Sequence, residues 1–459
     1  MPKFTLADVK QALGGVTILE EHQQEFADVI TDTRKIIPGA LFVALKGERF
    51  NGEAFVREAI SQGAGGVLVS NEFQSDDKPV GGTVIKADCD TQTALQRLAH
   101  FWRMKFDIPM LVITGSNGKT TTKDLTASVL SAKFPVLKTQ GNFNNEIGLP
   151  LTLLNMNEAH RAAVVEIGMR GLGQIRALAP IAAPTIGIVT NVGETHMELL
   201  GSIENIARAK AELVEAVPAG GTVILNNDNE YTAAMKDKAN NDVKVVTFGI
   251  DTEADIKAFE ITGTASETRF KCRLGQNGDI AEFVLPMVGR HNISNALAAI
   301  AAGCELGLNA QEIQSGLRAL KISGMRFETK RLGEYNIIND AYNASPMSME
   351  AAINTLAEVA EGRYIAVLGD MLELGDASAA AHKKVGSLVA KSGAAALIAY
   401  GTMGKEIANG AVEGGMKNVF HVASHQQAAT KLKELLQPND TVLFKGSRGM
   451  AMEKIIDLL

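Results

Sequence analysis

Short apolar runs recur along the chain, each closed by glycine, proline or a polar cluster and followed by residues at helical spacing. Leu111, Val112 and Ile113 form one such run, Gly115 to Gly118 break it, and Leu125 and Val129, four apart, begin a helical stripe. AAVVEIG (162–168), PTIGIVTNV (184–192), GTVILNND (221–228) and VKVVTFG (243–249) repeat the apolar motif between helical or polar segments. That alternation predicts a mainly parallel sheet with helices on both faces. From about 255 to 285 the period drops to two: Phe270, Cys272 and Leu274 alternate with Arg269, Lys271 and Arg273, as in antiparallel strands with one wet face. GRHNISNALAAIAAGCEL (289–306) then reads as a long alanine-rich helix.

Beyond about 325, YIAVLGD, AALIAYG, KNVFHVA and DTVLFKGSR supply strands, with helices near Ser348 to Glu361, His382 to Lys391 and Ser424 to Leu436. Ser424 and Gln427, three apart, form a capping-box signature. The first hundred residues contain short strands and one clear amphipathic helix, Glu53 to Gln62, ended by Gly63. A chain of 459 residues exceeds what one core usually supports. The expected organisation is α/β in three domains, bounded at 1–106, 107–324 and 325–459.

Composition narrows the function classes. Hydrophobic residues at 46% and charged residues at 21% fit a globular chain, and a net charge of -7 argues against a polybasic binder of nucleic acid or membrane surface. Cys89, Cys272 and Cys304 are far apart and lack CxxC spacing, so neither a disulfide framework nor a zinc site is indicated. The start lacks the apolar core of a signal peptide, and no run has the length of a membrane span. A cytoplasmic enzyme without membrane insertion is expected.

The chemistry begins at GSNGKT (115–120). A strand, a glycine loop and a helix follow in order, so that backbone N–H groups and a helix terminus worth roughly +0.5 charge can face a phosphate. Lys119 adds a full charge, and the Thr120 hydroxyl is placed to ligate Mg2+. Five residues before Gly118 stands Ile113, where the usual pattern has glycine, so the loop is a shortened variant. A tight turn with a solvated lysine would explain the glycines but not the GKT order after a strand. No NKxD and no hhhhDxxG segment accompanies the loop, which weakens a GTPase reading.

Glu166, Asn191, Thr195 and His196 lie at or just beyond strand carboxyl ends, where ligands of such sheets collect. Glu166 and His196 suit a metal beside the loop, although a lone residue of either type is usually structural. Lys210 has no role by spacing, since a helix lysine is normally solvated. His291, Asn292 and Asn295 begin a helix and could merely cap it. Thr31, Asp32, Arg34, Lys46 and Asn51 cluster near turns, and a DTR triplet alone is most often a solvated turn.

TGSNGKTTTK (114–123), GNFNNEIGLPLTLL (141–154), EIGMRGLGQI (166–175), TNVGETHMELLGS (190–202), ARAKAELV (207–214), GRHNISNALAA (289–299), NDAYNASPMSM (339–349), LGDMLELG (368–375) and KGSRGM (445–450) resemble, in order and over nearly the whole chain, the Mur ligase family. The resemblance implies a small N-terminal α/β domain for the UDP end of the substrate, a central P-loop ATPase and a C-terminal Rossmann-like domain. It implies an ATP-dependent amide ligase that adds D-Ala-D-Ala to UDP-MurNAc-tripeptide through an acyl phosphate in peptidoglycan precursor synthesis. It also implies two Mg2+ sites, and we expect a monomer.

On the same resemblance Gly115, Ser116, Asn117, Gly118, Lys119, Thr120 and Thr121 hold phosphates, and Thr120 with Glu166 holds one Mg2+. His196 corresponds to a ligand of a second Mg2+, and Lys210 to a carbamylated lysine that becomes anionic beside the metals. Lys119, Lys210, His196 and Glu166 are thus the implied catalytic set. Asn295 would lie near the adenine, Arg326 would reach the phosphates, and Asp340 with Asn343 would contact the nucleoside. Thr33, Arg34, Lys46 and Asn51 would hold the UDP end, Asn142 and Asn145 would bridge the substrate, and Lys445 and Ser447 would serve the amine side.

Two positions depart from the family pattern, Ser345 where asparagine is frequent and Gln174 where glutamate is common. No DNPR-like segment occurs, which favours the dipeptide-adding members. A folylpolyglutamate synthase-like ligase is the nearest rival, and it normally starts close to the phosphate loop. A nucleotide-switched binding protein would turn over ATP without responding to any amine. Whether the third peptide residue is meso-diaminopimelate or lysine stays open.

Overall fold

The chain's apolar runs are long enough to bury both faces of a sheet, and they do so in two compact units. The structure is a computed structural model that describes residues 3–459 apart from 48–49, 75–78, 80, 265, 277 and 323. One unit comprises 1–110, 139–160 and 177–183; the other comprises 111–138, 161–176 and 184–459.

In the first unit a five-stranded sheet runs in the order Val16–Glu20, Thr83–Ala87, Gly66–Val69, Leu41–Val43, Val29–Ile30. Only the first pairing is antiparallel. Phe42, Val67, Val69 and Val84 pack against Val56 and Ala59. The helix expected over 53–62 begins as a 3-10 turn, Gly52–Phe55, and becomes α-helical at Val56–Ser61, because Asn51 Oδ1 accepts from Glu53 N at 3.1 Å and sets a tight first turn. Buried Arg103 satisfies its guanidinium on carbonyls, with Nε to Ala182 O at 3.0 Å and Nη1 to Phe106 O at 2.6 Å.

The second unit holds a nine-stranded and a six-stranded sheet. The larger runs Val136–Lys138, Ala162–Glu166, Met110–Thr114, Ile186–Val189, Thr222–Asn226, Lys244–Gly249, Ile256–Gly263, Thr268–Leu274, Ile280–Leu285. Pairing is parallel from Met110–Thr114 through to Ile256–Gly263 and antiparallel for the last two pairs. The alternating segment is therefore an extension of the central sheet. Leu111, Ile113, Ile188 and Ile224 pack with Leu125 and Val129 of helix Lys119–Ser131 and with the alanine-rich helix Arg290–Glu305.

The smaller sheet runs Glu328–Leu332, Tyr335–Asp340, Thr441–Lys445, Tyr364–Gly369, Ala396–Tyr400, Val419–Val422, antiparallel only at its first pair. Sequence patterning omits the hairpin formed by its first two strands, because Glu328–Leu332 is a largely exposed edge with one apolar residue. It also omits helix Gly404–Glu413, whose glycines read as breakers. Gly410 serves close approach instead: a Cβ there would sit 1.9 Å from Lys383 O of helix Ser378–Ser392, and one at Gly386 of that helix would sit 1.9 Å from Ile407 O. Ser424 caps its helix by accepting from Gln427 N at 3.2 Å, while Gln427 Oε1 accepts from Ala423 N, one residue earlier than the reciprocal bond of a capping box.

Candidate active site

Strand Met110–Thr114 is buried at every position, and Thr114 Oγ1 donates to Ile167 O at 2.9 Å. The chain leaves the strand through Gly115 at φ 152° and enters the helix through Gly118 at φ 79°. A Cβ at these positions would lie 1.9 Å from Thr190 Oγ1 and 2.3 Å from Asn295 Oδ1, so both demand glycine. Gly118 is also the N-cap and supplies no side-chain acceptor, which leaves the first-turn N–H groups available to an anion.

The loop is held by two parts of the chain, the segment 190–195 and Ser345. Ser116 N donates to Asn191 O at 2.9 Å, and its Oγ donates to Gly193 O at 3.0 Å. Asn117 N donates to Asn191 Oδ1 at 2.9 Å, and Thr190 Oγ1 donates to Asn117 O at 2.6 Å. Thr195 Oγ1 reaches Ser116 Oγ at 3.2 Å. From the C-terminal part of the chain, Ser345 Oγ donates to Asn117 Oδ1 at 2.8 Å.

Around that loop the charged groups converge. Lys119 Nζ rests on Gly115 O at 2.8 Å and Ser116 O at 3.3 Å. Burial lowers its pKa, Glu166 partly restores it, and Arg326 lowers it again. Thr120 Oγ1 donates to Glu166 Oε2 at 2.8 Å and accepts from Arg326 Nη2 at 2.9 Å. The Arg326 guanidinium lies 3.8 Å over the Tyr342 ring, and its buried Nε has no partner among the described residues. Thr121 is buried beside Thr120. Lys123, 1% exposed and 3.3 Å from Asp124, feels the field of Glu166. The sequence reading missed Lys123, although its place four residues after Lys119 puts both on one helix face.

Lys210 overturns the expectation of a solvated helix lysine. It lies on the inward face of helix Ile203–Ala216 with Ile206, Ala209, Leu213 and Val214, and is only 2% exposed. Among the described residues its side chain has no hydrogen bond or ion pair. Burial, and then the Lys119 charge, push its pKa well below the usual lysine value. His196, at φ 56°, joins Glu373 Oε2 through Nδ1 at 2.6 Å. Burial lowers the His196 pKa, Glu373 opposes this, and Lys119 and Lys210 add to the depression. The sequence reading gave Glu373 no role.

Asn295, 7% exposed, accepts from Thr122 Oγ1 at 3.1 Å and donates to Asn292 Oδ1 at 3.3 Å. Asp340, Asn343 and Lys445 come together: the Lys445 ammonium bonds Asp340 Oδ2 at 2.6 Å and Asn343 O at 2.9 Å, with Lys445 3% exposed. Ser447 Oγ accepts from Leu372 N at 2.9 Å and lies 3.4 Å from Ala344 O. Burial pushes His291 down to about 4, with Asp340 raising and Lys445 lowering it.

Six candidates lie in the first unit. Thr33 starts a 3-10 turn capped by Asp32, and exposed Arg34 pairs with Asp32 at 2.8 Å. Lys46 and Asn51 are register partners in a two-stranded ribbon, and Lys46 pairs with Glu72 at 2.7 Å. Exposed Asn142 and Asn145 belong to the turn before helix Gly148–Leu154, with Asn145 Oδ1 accepting from Gly148 N at 2.8 Å.

Among the described residues no three His, Cys, Asp or Glu side chains converge as a metal cage. The hydroxyl of Thr120 and the carboxylate of Glu166 are nevertheless oxygen donors within 2.8 Å of each other. That sparse oxygen set suits Mg2+, which takes one or two protein carboxylates and completes its shell with water and substrate phosphates.

Three family models match the chain: Mur ligase family, catalytic domain over 25–103; Mur ligase middle domain over 113–303; and Mur ligase, glutamate ligase domain over 325–448. The chain is 39% identical to the UDP-N-acetylmuramoyl-tripeptide--D-alanyl-D-alanine ligase of Bacillus subtilis, over 99% of this chain and 98% of that one. Its structure is similar to a crystal structure of MurF from Acinetobacter baumannii, with a TM-score of 0.90, 30% identity and coverage of 100% and 99%. The fold is shared with MurF ligase of Thermotoga maritima, solved in complex with ADP, at a TM-score of 0.83, 24% identity and coverage of 94% and 96%.

Proposed function

This chain belongs to the Mur ligase family, and we propose from that premise that the phosphate loop, Lys210 and the region around Lys445 form one amide-forming centre. The enzyme is an ATP-dependent ligase that joins D-Ala-D-Ala to UDP-MurNAc-tripeptide, giving UDP-MurNAc-pentapeptide, ADP and phosphate in peptidoglycan precursor synthesis. The tripeptide carboxylate attacks the γ-phosphorus of ATP and ADP leaves. The dipeptide amine then adds to the acyl-phosphate carbonyl, loses its proton, and the tetrahedral intermediate expels phosphate.

Two anions must meet in the first step, so neutralising and aligning groups carry much of the catalysis. Loop residues Gly115 to Thr121 cradle the phosphates by their N–H groups, while Lys119 and Arg326 supply positive charge. Thr120 and Glu166 would hold one Mg2+, and His196 with carbamylated Lys210 a second. Bound there, the metal would offset phosphate charge and polarise its oxygens. Carbamylation requires a neutral amine, and burial, by lowering the Lys210 pKa, favours that form. Addition of CO2 to the neutral Nζ, with loss of a proton, would turn a buried amine into an anionic oxygen ligand.

Asn295 would meet the adenine, and Asp340 and Asn343 the nucleoside. Lys445 and Ser447 would face the amine substrate; the bonds of Lys445 to Asp340 and Asn343 favour reading these three as one cluster. Thr33, Arg34, Lys46 and Asn51 would take the UDP end, and Asn142 and Asn145 would also contact the substrate. Domains at 1–106, 107–324 and 325–459, a monomeric state and a cytoplasmic site complete the reading. Among the described residues no helix is long and apolar enough to cross a membrane.

The observation that carries this reading is the meeting of Arg326 and Glu166 on one Thr120 hydroxyl beside Lys119. Phosphate release from ATP and Mg2+ with UDP-MurNAc-tripeptide, measured with and without D-Ala-D-Ala, tests it. Dipeptide-dependent release and a pentapeptide mass are expected. Release indifferent to the dipeptide, or requiring glutamate and a folate, would overturn it.

A further inference from the structure

Glu373 lies in the turn Gly369–Gly375 and meets His196 from 177 positions away in the chain. Both residues adopt left-handed backbone, φ 64° for Glu373 and φ 56° for His196, a conformation that non-glycine residues hold only when their surroundings enforce it. Those surroundings are visible. Met371 N donates to His382 Nε2 at 2.8 Å, while His382 Nδ1 donates to Ser378 O at 2.7 Å. Leu372 N donates to Ser447 Oγ at 2.9 Å, Ser447 N donates to Asp370 O at 3.0 Å, and Gly404 N donates to Asp370 Oδ1 at 2.7 Å. The backbone engages the histidine segment as well, with Glu198 N donating to Glu373 O at 3.4 Å. Arg170 approaches the other carboxylate oxygen of Glu373 at 3.9 Å.

An ionised carboxylate only accepts, so the 2.6 Å contact requires the proton on His196 Nδ1. The ring then presents Nε2 as its lone-pair nitrogen. Carboxylate partners of metal-binding histidines act in this way, fixing tautomer and ring orientation and raising ligand basicity. We propose that Glu373 is a positioning residue of the ligase, which sets the tautomer and aim of His196. The inference rests on the reading of His196 as a Mg2+ ligand and extends it to the carboxylate that His196 Nδ1 meets.

The test is a long-range proton–nitrogen correlation spectrum of full-length protein labelled at histidine nitrogens, with His196 assigned by its loss in His196→Asn. Wild-type protein should show a neutral His196 protonated at Nδ1, Glu373→Gln should keep that tautomer, and Glu373→Ala should move the proton to Nε2. The Mg2+ concentration for half-maximal ligation should rise about 10–100-fold in Glu373→Ala and less in Glu373→Gln. A wild-type ring protonated at Nε2 overturns the inference whether or not the variants fold. An unchanged tautomer or an unchanged Mg2+ requirement in Glu373→Ala overturns it too. Failure of the ligase reading would appear separately, as wild-type protein without dipeptide-dependent phosphate release, and would leave the tautomer result standing.

Discussion

Arg326 Nη2 donates to Thr120 Oγ1 at 2.9 Å across 206 positions of sequence. The segment that joins the central and C-terminal sheets thereby places a cation on the first turn of the phosphate-loop helix. The guanidinium lies 3.8 Å over the Tyr342 ring, and its Nε, without a partner among the described residues, leaves a donor for an incoming anion. Arg326→Ala should lower kcat by about 10²–10³-fold, the usual cost of removing a charge-stabilising donor. Arg326→Lys should recover little, since an ammonium reproduces neither the stack nor the fork of donors. Steady-state phosphate release by the two variants checks this; a fully active lysine variant would reduce Arg326 to a simple point charge.

Lys210 is the position where stability and activity should part. A buried amine without an anionic partner is costly, so truncating it removes a desolvation penalty of roughly 1–3 kcal/mol while leaving a cavity that offsets part of the gain. Lys210→Ala should therefore lose more than about 10²-fold in ligation, with a thermal midpoint equal to or above wild type. Labelled bicarbonate should give a carbamate carbon signal on wild-type protein and none on the variant. Full ligation by Lys210→Ala would remove the carbamate from the mechanism.

Gly118 and Gly201 have nearly the same backbone, φ 79° and 76°, but different neighbours. A Cβ at Gly201 meets nothing within 4 Å, whereas one at Gly118 meets Asn295 Oδ1 at 2.3 Å. Gly201→Ala should show the left-handed backbone cost alone, about 1–2 kcal/mol by chemical denaturation. Gly118→Ala should lose more than that and should lose ATP binding by calorimetry. Equal losses in the two variants would show that the helix Arg290–Glu305 yields at Asn295.

What could be read from sequence followed the range of the interactions. GSNGKT is legible because strand, loop and helix terminus are consecutive, and the chemistry of the loop is its own backbone. Lys210 is legible only through the resemblance of ARAKAELV and not through spacing, because tertiary packing decides which face of Ile203–Ala216 turns inward. Glu373 is harder still: its partner is 177 positions away, and the turn that aims it is held by Ser447 and His382. The hairpin at Glu328–Asp340 escaped for the opposite reason, since its first strand is an exposed polar edge whose order comes from its neighbour.

His291 supplies a pH dependence whose sign follows from its setting. Burial, with Asp340 opposing and Lys445 assisting, brings its pKa to about 4 in the folded protein, against about 6.5 when unfolded. Between those values the unfolded chain binds more protons, so unfolding free energy rises with pH. The contribution is complete above about 6.5 and drains away as pH falls toward about 4. Moving from pH 7 to pH 5 should cost wild-type protein roughly 1–2 kcal/mol more than it costs His291→Gln, which has no proton to gain. His382, also lowered by burial, remains in both proteins and cancels in the difference. Urea unfolding of each protein at the two pH values measures the quantity. Parallel pH slopes would mean that the His291 ring reaches water in the native state and that its neighbours, Asp340 above all, hold its proton.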